Sequence, residues 1–182
     1  GCFGDGGALY TNNQSIARKI KAIANHGSHQ KYYHSEVGVN SRLDTMQAAI
    51  LDVKLKHLDE YNKRRQQVAN YYDNRFKKHP EINIPRRVDC SNHIFHQYTI
   101  TLKSLQIRDE LKEYLKSRDI PSMIYYPVPM HLQEAYKEYQ YKKGDFPVSE
   151  ELSETVLSLP MHTEMDEEQL EYITNAIEEF FK

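Results

Sequence analysis

Apolar residues recur at near-helical spacing through the first half of the chain. Ile50, Val53, Leu58, Tyr61, Val68, Tyr72 and Phe76 keep an approximate helical period until Lys77-Lys78-His79-Pro80 stops it. A single helix over residues 44–76 would be about 50 Å long at roughly 1.5 Å per residue, longer than one small domain. Its middle, Asn62 to Gln67, is entirely polar, so the pattern predicts a helix that bridges two domains. Asp44-Thr45-Met46-Gln47 has the composition of a capping box at its start. Upstream, Ile16, Ile20 and Ile23 predict a helix from Ser15 to about His26, and Ala8-Leu9-Tyr10-Thr11 predicts a short strand. Residues 27–39 show no period and read as a long loop, the kind more often functional in compact domains.

After Pro85 the pattern changes. Residues 94–102 alternate like a strand, 108–118 read as a helix, and Met123-Ile124-Tyr125-Tyr126 as a strand ended by Pro127. Residues 150–156 predict a helix, 157–160 a brief strand, and 166–181 a closing amphipathic helix that opens on Asp166-Glu167-Glu168. Strands alternating with helices predict an α/β arrangement, a small open sheet with helices on one side.

Composition narrows the function classes. The chain has 182 residues with 24 Lys and Arg against 26 Asp and Glu, a formal charge of -2. That balance gives no electrostatic reason to expect nucleic acid or an anionic membrane. No apolar stretch approaches the roughly 20 residues needed to span a bilayer. Two cysteines, Cys2 and Cys90, suggest no disulfide framework, and no charged-then-apolar leader is visible, so a cytoplasmic protein is expected. The opening Gly1-Cys2-Phe3-Gly4-Asp5-Gly6-Gly7 has the vocabulary of a tight turn inside a domain, so the chain reads as part of a longer protein.

Candidate chemistry is concentrated in two places. In Gly38-Val39-Asn40-Ser41-Arg42, an amide and a guanidinium stand two residues apart, and in extended chain they point the same way. Such a pair suits a phosphate or carboxylate oxygen, although Arg42 paired with Asp44 and Asn40 in a turn would explain the sequence equally well. Tyr125-Tyr126-Pro127-Val128-Pro129-Met130-His131-Leu132-Gln133 crowds polar groups onto a proline-stiffened loop, either a ligand-facing surface or a connector with half-buried tyrosines. The amino-terminal glycines lack a P-loop or dinucleotide pattern. His93 and His96, three apart, would face opposite sides of a strand, and His29 and His34 have no ligand cluster beside them, so no metal site is expected. No residue stands in a nucleophile context, and no catalytic residue is assigned.

The glycine turn through Ala8, Ala24-Asn25-His26-Gly27, the stretch from Gly38 to Ile50, Tyr126-Pro127-Val128-Pro129-Met130-His131-Leu132-Gln133 and Leu157-Ser158-Leu159-Pro160-Met161-His162 occur in an order that resembles the DegT/StrS family of nucleotide-sugar aminotransferases. The resemblance covers essentially the whole chain. It implies the α/β type I aminotransferase fold, with the end of the large cofactor domain at 1–50, an interdomain helix at 51–79 and a small carboxy-terminal α+β domain at 80–182. It also implies pyridoxal 5′-phosphate (PLP) as cofactor and transfer of an amino group, usually from glutamate, to a keto-sugar on a nucleoside diphosphate. Active sites in this family form at a homodimer interface. By the resemblance, Asn40 reaches the cofactor phosphate of the neighbouring subunit, and Arg42 lies near the same pocket. His26, Tyr125, Tyr126 and His131 fall on the substrate side. The Schiff-base lysine would lie about three residues upstream of Gly1, so the chain by itself is not expected to transaminate. The alternative is a non-catalytic module that dimerises or binds a nucleotide sugar.

Overall fold

The computed structural model describes residues 1–182. The chain forms two compact units, Gly1–Leu58 and Asp59–Lys182.

In the first unit, α1 (Gln14–Ala24) is capped by Asn13, whose Oδ1 accepts from the N–H groups of Ser15 and Ile16. That cap satisfies two of the donors a helix start leaves without partners. A two-stranded hairpin follows, β1 (Ser28–Gln30) and β2 (Tyr33–His34), in a segment whose sequence reads only as loop. The hairpin has no apolar alternation, and four of its five strand residues are exposed. It is held instead by backbone geometry at its base. Gly27 has φ +76, and a Cβ there would lie 1.7 Å from Glu36 O; a Cβ on Gly38 would lie 2.0 Å from Gly27 N. The two glycines let the chain cross itself where no side chain fits.

Helix α2 (Thr45–Leu55) follows, and α3 (Leu58–Phe76) begins after a two-residue break at Lys56 and His57. The expected single helix over 44–76 is therefore two helices. At the break His57 N bonds to Lys54 O, three residues back, so the ladder tightens into a turn and the α-helical bonding is interrupted there. The expected capping box is also absent. Asp44 occupies the cap position without a side-chain cap bond, and Gln47 turns away to Phe3. Residues 8–11 form no strand; Leu9 and Tyr10 are 79% and 100% exposed, and no neighbouring strand supplies a ladder.

The second unit holds the core. Strands β3 (Ile82–Asn83), β4 (Tyr98–Leu102) and β5 (Val156–Leu159) form an antiparallel sheet in that order, with Tyr98 opposite Leu159 and Ile100 opposite Leu157. Tyr98, Ile100 and Leu102 alternate into the core with Tyr72 and Phe76 of α3, Leu111 and Leu115 of α4 (Leu105–Ser117), and Ile177 of α6 (Glu167–Phe180). Burying each such side chain stabilises by about 1.5–3 kcal/mol. Helix α6 has the capping box that α2 lacks: Asp166 accepts from Gln169 N, and Gln169 Oε1 accepts from Asp166 N. The expected strand at 123–126 shrinks to one bridge, Met123 with Ser158. Helix α5 (Pro147–Thr155) starts three residues earlier than its apolar pattern indicates, because Pro147 fits the first helical turn. His93 and His96 precede β4, so the strand-face argument for them does not apply. The His93 Nδ1 instead accepts from Phe95 N.

Candidate functional site

The segment Val39–Ser41 lies antiparallel against the end of α1. Val39 N donates to Ile23 O at 2.8 Å, Ser41 N to Ala24 O at 2.9 Å, and His26 N to Val39 O at 3.0 Å. The carbonyls that a helix terminus leaves open are thus paired by the very segment that carries Asn40 and Arg42. The two side chains do converge. Arg42 Nε donates to Asn40 Oδ1 at 3.3 Å. Because a guanidinium only donates, this bond fixes the amide orientation. The Asn40 Nδ2 and the Arg42 Nη groups remain as donors, and both residues are exposed. Arg42 forms no ion pair with Asp44. A neutral and a cationic donor side by side can hold the oxygens of a phosphate, so the residues present fit a phosphate-bearing cofactor.

His26 stands in the left-handed region at φ 59. Its carbonyl accepts from His34 Nδ1 at 2.9 Å, while its own imidazole has no hydrogen bond. Gln47, which sequence reasoning read as a cap residue, binds both backbone polar groups of Phe3. Its Oε1 accepts from Phe3 N at 2.8 Å, and its Nε2 donates to Phe3 O. Side-chain amides that bond to a backbone 44 residues away leave no local sequence signature.

In the second unit, Tyr125, Tyr126 and His131 line one cavity of about 500 Å³ together with Pro129 and Phe146. The tyrosines are exposed, whereas the His131 side chain retains only 7% of its surface. His131 Nε2 donates to Glu150 Oε1 at 2.9 Å and its ring packs on Phe146 at 4.8 Å between centroids. Glu150 also accepts from Gly144 N at 2.8 and 2.9 Å and from Phe146 N at 3.4 Å. Burial alone would raise the Glu150 carboxyl. The Gly144 N–H, His131 and the Phe146 N–H outweigh it and hold the group below its ordinary 4.5. The carboxylate therefore fixes the imidazole, leaving Nδ1 as its remaining ring nitrogen. Glu150 was not legible in the sequence, since its partners lie 4 to 19 residues away in irregular chain.

A model of the DegT/DnrJ/EryC1/StrS aminotransferase family matches residues 2–178. The chain belongs to this family. Across the DegT/DnrJ/EryC1/StrS relatives, it is 44% identical over its whole length to a pleiotropic regulatory protein of Geobacillus stearothermophilus, covering 49% of that protein. It is 39% identical over 96% of its length to a dTDP-3-amino-3,6-dideoxy-alpha-D-galactopyranose transaminase of Aneurinibacillus thermoaerophilus, covering 47% of it. The crystal structure of DesV from S. venezuelae superposes with a TM-score of 0.93 at 38% identity, over 99% of this chain and 48% of that one. The aminotransferase fold expected from the motifs is therefore present. The chain spans about half the length of the curated relatives it matches. No helix is long and apolar enough to cross a membrane.

Proposed function

We propose that this chain serves PLP-dependent transfer of an amino group, with glutamate as donor, to a keto-sugar carried on a nucleoside diphosphate. It acts within a homodimer whose subunits share active sites. What supports the reading is the Asn40–Arg42 donor pair, oriented by its own hydrogen bond, in a chain of this family. PLP supplies an electron sink for moving the amino group, and the protein supplies position and electrostatics. Asn40 donates through Nδ2 to a phosphate oxygen of the cofactor in the neighbouring subunit. Arg42 orients that amide and adds a positive charge to the same pocket. His26 lies on the substrate side of this unit. In the second unit, Tyr125 and Tyr126 face the sugar, and His131, fixed by Glu150, presents Nδ1 to the same cavity. The 3-amino sugar named for the Aneurinibacillus relative supports amination at C3. The 182-residue chain alone does not transaminate.

The test is a chimaera in which this chain replaces the matching part of the Aneurinibacillus transaminase. Amino transfer to that enzyme's sugar is expected, with the new C–N bond located by NMR. Asn40→Asp removes a donor and sets an anion beside phosphate, a loss of about 1–3 kcal/mol, so PLP retention falls by roughly five- to 150-fold. A folded chimaera that holds PLP equally well with Asn40→Asp refutes the assignment of Asn40. A folded but inactive chimaera favours a non-catalytic binding or dimerisation module.

A further inference from the structure

A cavity of about 570 Å³ opens in the second unit between α3 and the chain that joins β3 to β4. Its polar lining includes Arg86, Arg87 and His93 with the amides of Gln66, Asn70 and Gln97, and no carboxylate. The cations there are unevenly matched. Arg87 is neutralised by Asp73, whose Oδ2 lies 2.6 Å from Nη2 and 2.8 Å from Nε, and its guanidinium sits over the Phe95 ring at 4.5 Å. Arg86 has neither a hydrogen bond nor an ion pair. Behind the cavity wall Arg65 also lacks an acid. Its Nη1 donates only to carbonyls, those of Phe95 and His96 at 3.2 Å and of Met161 at 3.5 Å. Two guanidinium charges therefore stand at one concavity without a counter-charge.

The wall is fixed in place. The Arg65 bonds, and Gln66 Nε2 donating to His93 O at 3.4 Å, tie residues 93–96 to α3. Phe95, only 3% exposed, stands in the left-handed region at φ 50, where a bulky residue is uncommon. The chain turns there so that His93 Nδ1 accepts from Phe95 N at 2.8 Å. A ring nitrogen that accepts carries no proton, so Nε2 is the donor of this cavity-lining imidazole. The side-chain amides of Asn70 and Gln97 make no hydrogen bond and keep both a donor and an acceptor.

We infer that this cavity binds a carboxylate flanked by a neutral amide, the chemistry of an N-acylated amino acid or of a peptide's carboxyl end. Arg86 offers its planar fork to the carboxylate, and Arg65 adds positive charge from behind. Asn70 and Gln97 match an amide, which also donates and accepts. A free amino acid does not fit, because its ammonium would meet two cations and no acid. None of these residues takes part in the amino transfer proposed above, so the two readings stand or fall separately.

NMR shift titration of the 182-residue chain tests this. The probes are N-acetylglycine, its neutral analogue N-acetylglycinamide, glycine, and the peptide acetyl-Ala-Ala-Ala-Gly. Saturable shifts centred on the amides of residues 86–97 are expected with N-acetylglycine. Binding should weaken at least about tenfold for N-acetylglycinamide and for glycine, and by as much for N-acetylglycine in Arg86→Gln. Lys78→Gln, which removes a positive charge from the same unit outside the cavity, should leave it unchanged. Tighter binding of the peptide identifies a chain end as the ligand; equal or weaker binding identifies the N-acylated amino acid. Absence of saturable shifts overturns the inference, as does equal affinity for N-acetylglycine and either N-acetylglycinamide or glycine. So does a loss in Lys78→Gln as large as in Arg86→Gln, because the attraction would then be diffuse.

Discussion

Replacing Gly38 with alanine attacks the crossing that presents Asn40 and Arg42. The new methyl would sit 2.0 Å from Gly27 N and 2.6 Å from both His26 C and Ile23 O. All three are backbone atoms, so no side chain can swing aside. Ordinary contact begins near 3.4 Å, and the segments must part by well over an ångström to reach it. The bonds His26 N to Val39 O, Val39 N to Ile23 O and Ser41 N to Ala24 O are 2.8–3.0 Å long, so that parting breaks them. At roughly 0.5–1.5 kcal/mol each, their loss costs about 2–4 kcal/mol. Hydrogen exchange followed by NMR reads this directly. The amides of Val39 and Ser41 should exchange roughly 30- to 1,000-fold faster in Gly38→Ala, while Ile100 in the second unit keeps its protection. Gly7→Ala is the control, since a Cβ there meets nothing within 4 Å. Unchanged protection of Val39 and Ser41 would refute the account of the crossing.

Three other outcomes follow from the titrating groups and their partners. Glu150 has a folded pKa below its ordinary 4.5, so its contribution is complete above about pH 4.5 and is lost as pH falls through the lower folded value. Urea melts between pH 3 and 6 should show that acid-side loss in the wild type and a flatter profile in Glu150→Gln. Tyr98, by burial and by its bond to Asp73, and Tyr72, mainly by burial, are both pushed above the ordinary 10.0. Their contribution is whole below pH 10 and declines as pH rises further, and ultraviolet titration should leave two tyrosines un-ionised until the chain unfolds. Tyr98→Phe removes the 2.7 Å bond to Asp73 Oδ1 but leaves Arg87 on Oδ2, so chemical denaturation should register a loss of only about 1 kcal/mol.

The second unit was largely legible because its elements bury one side. Tyr98, Ile100 and Leu102 alternate in sequence as they alternate in the core, and α6 opens beside Asp166 as its acidic start indicates, although the Asp166–Gln169 capping box was not read from the sequence. The first unit was less so. Its hairpin rests on Gly27 and Gly38, which carry no hydrophobic pattern, and α2 lacks a buried residue to fix its period. Asn40 and Arg42 could be picked out because extended chain puts alternate residues on one side. Glu150 could not, because its role comes from a turn at Gly144 and a histidine 19 residues away.

The clamp of Gln47 on Phe3 sets an unequal tolerance for change at its two ends. It grips a peptide unit, not a side chain, and Phe3 itself is 69% exposed. The clamp itself asks of position 3 only a free N–H and C=O, while the Phe3 ring lies under the Lys54 ammonium, 5.3 Å from the ring centroid. Position 47 is far less permissive, since glutamate offers two acceptors and no donor, leucine offers neither, and asparagine is one methylene too short. Substitutions at position 3 should therefore leave the clamp closed and lose only the contact with Lys54, whereas substitutions at position 47 should open it.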